Sequence, residues 1–454
     1  LYVRLQLAAI AATSLIELLK GNMLMFCNQC EQTAHGTGCV LTPGVCGKNE
    51  DIQSLQEMLL YGLKGMAAYA NHARRLGKSD ETVSAFIEEA LFATMTNVNF
   101  DLDAHLEMVL ECGRQNLRVM QLLDEGHIDC FGAPAPSTVS EGTQAGPGIL
   151  ITGHDLMDLS NLLKQCEGTD VKVYTHGEMM PGHMYPKLRE HPNLAGHYGG
   201  AWQLQKSEFD SFSGPILATT NCILIPRPSY RDRVFTTRCT AVPGGKRIVD
   251  EDFSAVIEKA KACPPLAEAN GKQTTIGFHH DVILSLADTV VQAVKDGKIS
   301  HFFVIGGCDG AEPGRNYFSD YAQATPADSF ILTLGCGKFR IRDYDYGELL
   351  GLPRLMDMGQ CNNAYGAIKV AVALAEAFNC TVNDLPLTLV VSWFEQKAVA
   401  VLLTLLALGV KGVSIGPNPP GFVTPTVFGI LQEKFDLRLT GSDAKEDLAV
   451  AMAG

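Results

Sequence analysis

The sequence predicts a multidomain protein in which an N-terminal helical bundle precedes two Rossmann-like α/β domains with mainly parallel sheets. Its 454 residues suggest about three domains, at roughly 150 residues each. Apolar residues make up 46% and charged residues 19%, which excludes a disordered chain. The net charge of −14 argues against nucleic-acid binding, which needs a basic surface. The 14 cysteines are too dilute for a secreted disulfide scaffold, yet numerous enough to suggest metal or redox chemistry.

The first predicted domain covers residues 1–145. Its opening apolar run closes with Glu17 and Lys20 and lacks a cleavage site, which argues against a signal peptide. We expect either an amphipathic helical extension or sequence upstream of a start at Met23 or Met25. A cysteine- and glycine-rich loop follows at 27–48. Apolar residues at three- and four-residue spacing then predict three helices that form a small bundle, at 52–76, 82–96 and 102–123. No apolar run reaches the roughly 18 residues of a membrane span, and we expect a cytoplasmic protein.

Two α/β domains are predicted at 146–278 and 279–454, after a linker at 131–148 that is rich in Pro, Gly, Ser and Thr. Short apolar runs alternate there with helical patterns, which is typical of parallel strands covered on both faces. We expect eight such strands, within GILITGHD, VKVYTHGE, GPILATTNC, HFFVIGGCDG, FILTLGCG, PRLMDMGQC, LTLVVSWFE and KGVSIGPNPP.

A potential metal ligand stands at the end of each of the first seven strands. In chain order these ligands are His154, Glu178, Cys222, Cys308, Cys336, Cys361 and Glu395. A single cysteine after a strand is usually a small buried apolar residue, but seven such coincidences are improbable. Because ligands of open α/β sheets bind beyond the carboxyl ends of the strands, we expect one shared site. Soft thiolates together with imidazole and carboxylates favour a multinuclear iron site, and the donors are too many for one tetrahedral zinc.

The N-terminal loop carries a second group of cysteines. Cys27, Cys30, Cys39 and Cys46 lie in FCNQCEQTAHGTGCVLTPGVCGK, where glycines let the backbone wrap around a ligand. Four thiolates within twenty residues fit one cubane iron–sulfur cluster. Zinc remains the structural alternative, and disulfides are least favoured because nothing else suggests an oxidising compartment.

These segments resemble the hybrid cluster proteins, also called prismane proteins or hydroxylamine reductases. The resemblance begins near Met25 and continues to the C-terminus, and the helical region between Cys46 and His154 is similar in length to that of the shortened class of the family. The first segment that shows the resemblance is the N-terminal cysteine loop, FCNQCEQTAHGTGCVLTPGVCGK. Later segments that carry it are ITGHDLMDL, VYTHGEMMPGHMYP, GHYGGAW, TTNCILIP, GGCDGAEPGRNYF, LGCGKFR, MGQCNNAY and SWFEQKAVA.

The resemblance implies two clusters. The four N-terminal cysteines match those that hold an electron-transfer [4Fe–4S] cluster, with [2Fe–2S] the other type found in the family. The seven strand-end residues match the ligands of a hybrid [4Fe–2S–2O] cluster, and Cys308 falls on the cysteine that the family modifies to a persulfide. The implied activity is reduction of hydroxylamine to ammonia and water. Its substrate would bind on the side of His154 and Glu178, Glu395 would open a coordination position, and Lys397 would either deliver protons or only pair with Glu395.

Other functions stay open at this point. Nitric oxide reduction and protein S-nitrosylation belong to the same family, while a non-catalytic redox sensor and a nickel–iron carbon monoxide dehydrogenase are further alternatives. We expect a small-molecule substrate and an unidentified electron-donor protein, but neither a membrane nor nucleic acid as partner. No dinucleotide is expected, since G-x-G-x-x-G is lacking.

Some cysteines, histidines and tryptophans are interpreted as structural. We expect the remaining six cysteines to pack, and Trp202 and Trp393 to wall the site. His279 and His280 should cap a helix or face solvent. His176 and His183 flank Glu178 and are candidates for orienting it.

Overall fold

The helical region begins directly after the cysteine loop. The computed structural model describes residues 25–32, 38–308 and 316–453, so the predicted N-terminal extension lies outside the described residues. Polar side chains cap each of the first three helices: Asn49, Asp80 and Asp101 accept hydrogen bonds from backbone N–H groups of the first turn. These helices are α1 (Glu50–Arg75), α2 (Glu81–Ala93) and α3 (Leu102–Phe131). The third runs eight residues beyond its predicted end.

The first parallel sheet has six strands within the described part of the chain, in the order β4-β3-β2-β5-β6-β7. Chain order reverses between β2 and β5, which creates a topological switch point of the Rossmann type. The strands are β2 (Gly148–Thr152), β3 (Lys172–His176), β4 (Leu194–His197), β5 (Ile216–Ala218), β6 (Val234–Thr237) and β7 (Lys246–Ile248). The helices are α4 (Leu156–Cys166), α5 (Pro186–Arg189), α6 (Gln205–Ser211) and α7 (Ser254–Ala262), with 3₁₀ turns at Gly177–Met184, Trp202–Leu204 and Arg231–Arg233.

The second parallel sheet repeats this topology, in the order β13-β10-β9-β14-β15-β16 among the described residues. Its switch point lies between β9 and β14. The strands are β9 (His301–Gly307), β10 (Ser329–Thr333), β13 (Leu355–Asp357), β14 (Leu387–Ser392), β15 (Ser414–Gly416) and β16 (Arg438–Leu439), and a small ribbon joins β11 (Glu348–Leu349) to β12 (Leu352–Pro353). The helices are α8 (His280–Leu284), α9 (Ala287–Lys295), α10 (Tyr317–Ala324), α11 (Lys338–Ile341), α12 (Ala364–Phe378), α13 (Gln396–Ala407), α14 (Pro425–Phe435) and α15 (Ala444–Ala453), with 3₁₀ turns at Cys361–Asn363 and Val382–Asp384. The predicted fold class, a helical region followed by two parallel α/β units, is confirmed.

The two segments predicted as domain boundaries pair with each other. Strand β1 (Ser137–Ser140) runs antiparallel to β8 (Gln273–Ile276), and the bridges Thr143–Ala269 and Gly146–Leu266 extend this ribbon. The chain therefore enters and leaves the first α/β unit through one antiparallel ribbon. The proline- and glycine-rich linker is tied down there by backbone hydrogen bonds.

Helix α13 completes the helical bundle from the far end of the chain. It packs against both α1 and α3, whereas α2 packs at their side. Glycines allow the close approach: a Cβ atom on Gly65 would lie 2.5 Å from the Gln396 carbonyl oxygen, and one on Gly113 would lie 2.1 Å from that of Leu403. Asn116 and Thr404 add a buried hydrogen bond of 3.0 Å between α3 and α13. The apolar stretch 399–410 thus packs inside the protein, and among the described helices none has the length and apolarity to cross a membrane.

Neutral histidines are part of the core. His183 is buried, and its ring nitrogen Nε2 lies 3.0 Å from the Thr175 hydroxyl and 3.2 Å from the Gly196 carbonyl oxygen. Burial lowers the pKa of His183 to about 4 and that of His127 to about 4. Since an unfolded histidine titrates near 6.5, the unfolded state binds more protons over this interval. These histidines therefore stabilise the fold fully above about pH 6.5 and lose that contribution as the pH falls toward 4.

We predict that Gly113→Ala lowers the free energy of unfolding by about 1–3 kcal/mol, because its methyl group forces α3 away from α13. Gly429→Ala in α14 is the matched control. A Cβ atom there meets nothing within 4 Å, so this change should leave stability unchanged or raise it by up to about 1 kcal/mol. Chemical denaturation followed by circular dichroism measures both. Equal stability of the two variants would contradict the tight α3–α13 contact.

We predict that His183→Gln weakens the acid sensitivity of the fold. Between about pH 6.5 and pH 5 the wild type should lose about 2 kcal/mol more stability than the variant, at about 1.4 kcal/mol per pH unit and histidine. Denaturation curves recorded across this range measure the difference. If the free energy of unfolding falls equally in the two proteins over this range, His183 does not contribute to the acid sensitivity.

Candidate metal centre

The seven predicted ligands lie at the carboxyl ends of seven strands in the two sheets. His154 and Glu178 each follow their strands, β2 and β3, by two residues, and Cys308 follows β9 immediately. Cys222, Cys336, Cys361 and Glu395 stand three or four residues after β5, β10, β13 and β14. The pairs His154/Cys222 and Cys308/Glu395 flank the two switch points. Both sheets thus direct their ligand-binding edges toward one region.

One part of this region contains nitrogen and oxygen donors. Ligand atoms of His154, Glu178 and Cys361 all lie within 4.8 Å of one another, and all three residues are buried. The Cys361 backbone N–H donates to Glu178 Oε2 at 3.0 Å, while Glu178 Oε1 is buried and has no hydrogen-bond partner in the described part of the chain. The Thr220 hydroxyl lies 2.9 Å from His154 Nδ1 and orients the ring. This triad joins the first α/β unit to the second.

Burial disfavours the charged form of each member of this triad. It raises the pKa of Glu178 against the opposing effect of Lys338 and Lys397. It lowers the pKa of His154 well below its ordinary value, and the neighbouring Lys397 lowers it further. Burial also raises the pKa of the Cys361 thiol to about 12. Binding of a cation by the Cys361 sulfur would displace the thiol proton.

Three more cysteines form the sulfur-rich part. A hydrogen bond between the thiols of Cys222 and Cys336, together with burial, raises the pKa of Cys336. Burial, followed by the neighbouring Glu395 and Cys222, raises that of Cys308. Cys222 has a φ of +65°, a left-handed conformation that is uncommon for a residue with a side chain. Gln205 holds this turn, since its amide donates to the Cys222 carbonyl oxygen at 2.6 Å and accepts from the Leu224 N–H at 3.0 Å.

Lys397 lies in the first turn of α13, directly after Glu395. Its ammonium is buried, has no hydrogen-bond partner among the described residues and lies 5.7 Å from the centre of the Tyr69 ring. Burial lowers the pKa of Lys397, but Cys361, Glu395 and the other acidic groups around it raise it more strongly, and the net pKa is raised. The lysine is therefore a positive charge directed at the donor groups.

An ion-pair network holds the His154 segment from behind. Asp155 caps α4 by accepting from the Met157 and Asp158 N–H groups. Arg75, at the end of α1, lies 2.5 Å from Asp155 and 2.9 Å from Asp158. Arg238 pairs with both aspartates as well. The helical bundle thus fixes the position of a predicted ligand.

The donor set fits a multinuclear iron–sulfur centre. Buried polar atoms without partners are rare in folded proteins, and here Glu178 Oε1 and Lys397 Nζ both face a region crowded with thiols. Four sulfur, one nitrogen and two carboxylate donors exceed what one tetrahedral ion can bind. The mixture of soft and hard donors suits a centre with a sulfur-rich and an oxygen-rich part. These residues would hold the hybrid cluster implied by the resemblance.

Two of the four cysteines of the N-terminal loop are joined through their backbones, and a third contacts the helical region. Cys27 and Cys39 form a two-way backbone bridge with N–O distances of 3.0 and 2.9 Å. The Cys46 thiol donates to the Thr96 carbonyl oxygen at 3.7 Å, which ties the loop to the segment after α2. None of the 14 cysteines is in a disulfide, and all lie within the described residues.

His279 and His280 form a second buried cluster, with Asp124 from α3. His279 caps α8 as predicted, but neither histidine faces solvent, because His279 Nε2 lies 3.0 Å from Asp124 Oδ1 and the rings are 3.8 Å apart. The three side chains have the composition of a metal site. The Lys369 ammonium, however, lies 3.0 Å from His280 Nε2 and supplies the cation there. We interpret the cluster as a contact between α3 and the second α/β unit.

The other side chains predicted near the site have varied positions. His176 lies 2.8 Å from Glu208 and 3.1 Å from the Thr152 hydroxyl, and like His183 it has no hydrogen bond to Glu178 among the described contacts. Trp202 lines a small pocket together with His154, Glu178, Cys222 and Cys336, as expected of a wall residue. Trp393 donates from its indole N–H to the Asn418 carbonyl oxygen.

Sequence reasoning missed Tyr69 and Gln360. The Tyr69 hydroxyl in α1 donates to the Cys361 sulfur at 3.1 Å. Gln360 donates from its side-chain amide to the carbonyl oxygens of both His154 and Glu178. Tyr69 gave no signal because it fits the apolar stripe of its helix. Gln360 stood next to a predicted ligand, but its partners are about 180 to 200 residues away in the chain.

Comparisons with known proteins agree with this geometry. A sequence model of the Prismane/CO dehydrogenase family matches residues 25–109 and 101–449. The hydroxylamine reductase of Moorella thermoacetica is 60% identical over 91% of this chain and 97% of its own length, and that of Thermotoga petrophila is 49% identical over 94% and 99%. The hydroxylamine reductase of Rhodospirillum rubrum is 51% identical, but the match covers only 76% of that longer protein.

Solved structures share the fold at low sequence identity. Carbon monoxide dehydrogenase from Thermococcus sp. AM4 superposes with a TM-score of 0.76 at 16% identity, over 96% of this chain and 91% of that one. Carbon monoxide dehydrogenase IV from Carboxydothermus hydrogenoformans gives 0.77 at 14% identity, over 95% and 92%. The family match over nearly the whole described chain, together with relatives at 49–60% identity, shows that this protein belongs to the Prismane/CO dehydrogenase family.

Proposed function

We propose that this chain is an iron–sulfur hydroxylamine reductase, which converts hydroxylamine to ammonia and water with two electrons and two protons. One observation carries the proposal: soft and hard donors from two Rossmann-like sheets meet in one buried region. The names of relatives at 49–60% identity support the same activity. The low identity to carbon monoxide dehydrogenases supports only the shared fold.

We assign two iron–sulfur clusters to the chain. The hybrid cluster would be held by His154, Glu178, Cys222, Cys308, Cys336, Cys361 and Glu395, with Cys308 as the persulfide position, and the [4Fe–4S] cluster by Cys27, Cys30, Cys39 and Cys46. When bound, these clusters supply the electrons and a Lewis acid for the N–O bond. The hard donors His154 and Glu178 mark the side on which a small N–O compound would bind.

Protons are the part of the reaction that the protein's own groups must supply. Lys397 is the best candidate, because its ammonium is buried, adjoins Glu395 and has no hydrogen bond to any described residue. Glu395 is the N-cap of α13, and its side chain makes no capping bond in the described structure, so the helix start does not hold its carboxylate. Burial around Glu178 excludes bulk water from the same region.

The cysteine loop is the proposed point of electron entry. It carries exposed apolar side chains, with Phe26, Leu41 and Val45 at 56%, 60% and 71% exposure. An exposed apolar surface beside a redox centre suits a transient protein partner. We therefore propose a separate electron-donor protein, in the cytoplasm. The domain division 1–145, 146–278 and 279–454 remains our proposal for the organisation of the chain.

Nitric oxide is a second candidate substrate, favoured by one feature. A cavity of about 230 Å³ lies between the second sheet and helices α12 and α13, and it reaches Cys361 at the metal centre. Its lining is almost entirely apolar. Such a space favours a small uncharged gas over the polar hydroxylamine.

We predict that Glu395→Ala lowers the rate of hydroxylamine reduction by roughly 100-fold or more, because it removes a proposed ligand. Mutation of residues that only hydrogen-bond to metal ligands already lowers activity about 10–100-fold. The spectrum of the N-terminal cluster should be unchanged. Glu376→Ala, an exposed change on α12, is the control. Steady-state assays with a reduced dye, together with iron analysis, measure the effect. Full activity of the Glu395 variant would show that this residue has no role in the mechanism. A wild-type protein that holds about eight irons per chain but does not reduce hydroxylamine would favour a non-catalytic redox sensor.

We predict that Ala367→Phe, which fills part of the apolar cavity, lowers nitric oxide turnover and leaves hydroxylamine turnover unchanged. Both substrates are assayed with the same reduced dye on both proteins. Negligible hydroxylamine turnover beside fast nitric oxide turnover in the wild type would replace our first choice by the second. Equal losses for both substrates would show that the cavity does not serve nitric oxide specifically.

A further inference from the structure

We propose that Gln360 is a positioning residue that sets the place of His154 and Glu178 relative to Cys361. The inference rests on the proposed function, since it concerns the oxygen-rich side of the same centre. Gln360 immediately precedes Cys361 in the 3₁₀ turn after β13, and its side chain is 2% exposed. Gln360 is not a predicted ligand. It lies about 180 to 200 residues from His154 and Glu178 in the chain, so only the fold brings it next to them.

The amide group of Gln360 spans the gap between the two sheets. Its Nε2 atom donates to the His154 carbonyl oxygen at 2.9 Å and to the Glu178 carbonyl oxygen at 2.6 Å. A glutamine amide has two N–H donors, and here both are used on the backbones of two predicted ligands. The side chain thus fixes the separation of the β2 and β3 loops, while its own backbone carries the third donor, Cys361.

The turn that carries Gln360 is itself rigidly held. The Gln360 N–H donates to Asn363 Oδ1 at 2.9 Å. The Lys338 ammonium is fully buried and donates to the Gly359 carbonyl oxygen at 2.7 Å and to Asp357 at 2.8 Å. The amide therefore extends from a fixed base in the second α/β unit. A displacement of the β2 and β3 loops would break its two hydrogen bonds in a buried region, where unsatisfied groups are costly.

Gln205 makes clear why Gln360 is different. Gln205 also uses its amide on a ligand loop, but it bonds Cys222 and Leu224, both within the first α/β unit. Gln360 is the contact through which the second unit determines where the nitrogen and oxygen donors of the first unit lie. The hydrogen bond from the Cys361 N–H to Glu178 Oε2 also connects the second unit to a donor of the first.

Two substitutions separate positioning from folding. Gln360→Leu keeps the approximate volume and removes both donors. Gln360→Glu keeps the length and replaces an N–H donor by an oxygen, which opposes the carbonyl oxygens of His154 and Glu178. Gln165→Leu is the control, because the exposed Gln165 side chain also bonds backbone groups, donating to the Glu251 carbonyl oxygen and accepting from the Phe253 N–H. Gln165 lies at the far end of α4, about 14 Å along the helix from its start beside His154.

The test compares the loaded full-length variants by iron analysis, electron paramagnetic resonance and steady-state kinetics. We expect both Gln360 variants to keep the N-terminal cluster spectrum and an unchanged melting transition, with an altered spectrum of the second centre. We expect kcat for hydroxylamine to fall roughly 10–100-fold, as for groups that orient metal ligands, while KM changes little. The Gln165 variant should match the wild type in every readout.

Two results would overturn the role of Gln360. The first is a wild-type spectrum of the second centre in both variants; the second is loss of the melting transition in both, which would indicate a general role in folding. A wild type that holds iron but does not reduce hydroxylamine would refute the proposed activity alone. The spectral comparison of the Gln360 variants would then still decide the positioning role.

Discussion

The structure depends on one constraint: the carboxyl-terminal edges of the two sheets come together around buried metal-donor side chains, which are costly to bury without binding partners. Each sheet has a switch point between its two central strands, and donor side chains follow both of these strands. His154 and Glu178 come from one sheet, Cys361 from the other, and their ligand atoms lie within 4.8 Å of one another. Burial disfavours charge on all three, and a bound cation would offset that cost for the carboxylate and the thiolate.

The helical bundle acts on this centre from two sides. Helix α13 begins directly after Glu395, continues through Lys397 and then packs on α1 and α3. Helix α1 brings Tyr69 to the Cys361 sulfur and Arg75 to the aspartates behind His154. The close helix contacts at Gly65 and Gly113 therefore affect more than stability, because the same helices place groups around the donors.

Much of this arrangement could be predicted from the sequence, for a physical reason. Buried parallel strands are continuous apolar runs, so all eight predicted runs are strands, and the donor that follows each of seven runs falls at a sheet edge. Four strands of the two sheets escaped prediction: β4, β6, β7 and β16. Three of these are edge strands, and β7 and β16 are short and largely exposed, so their pattern is weak.

What the sequence could not reveal are contacts between distant segments. The ribbon of β1 and β8 joins the predicted linker at 131–148 to the segment before the predicted boundary at 278, and this pairing was missed because irregular polar stretches leave no periodic pattern. The burial of His279 and His280 depends on Asp124, more than 150 residues earlier. Gln360 belongs to the same class: its amide is informative only once β2, β3 and β13 are known to converge. Strand-end residues identify the donors of such a centre, whereas the groups that set their spacing emerge only when the two sheets are seen together.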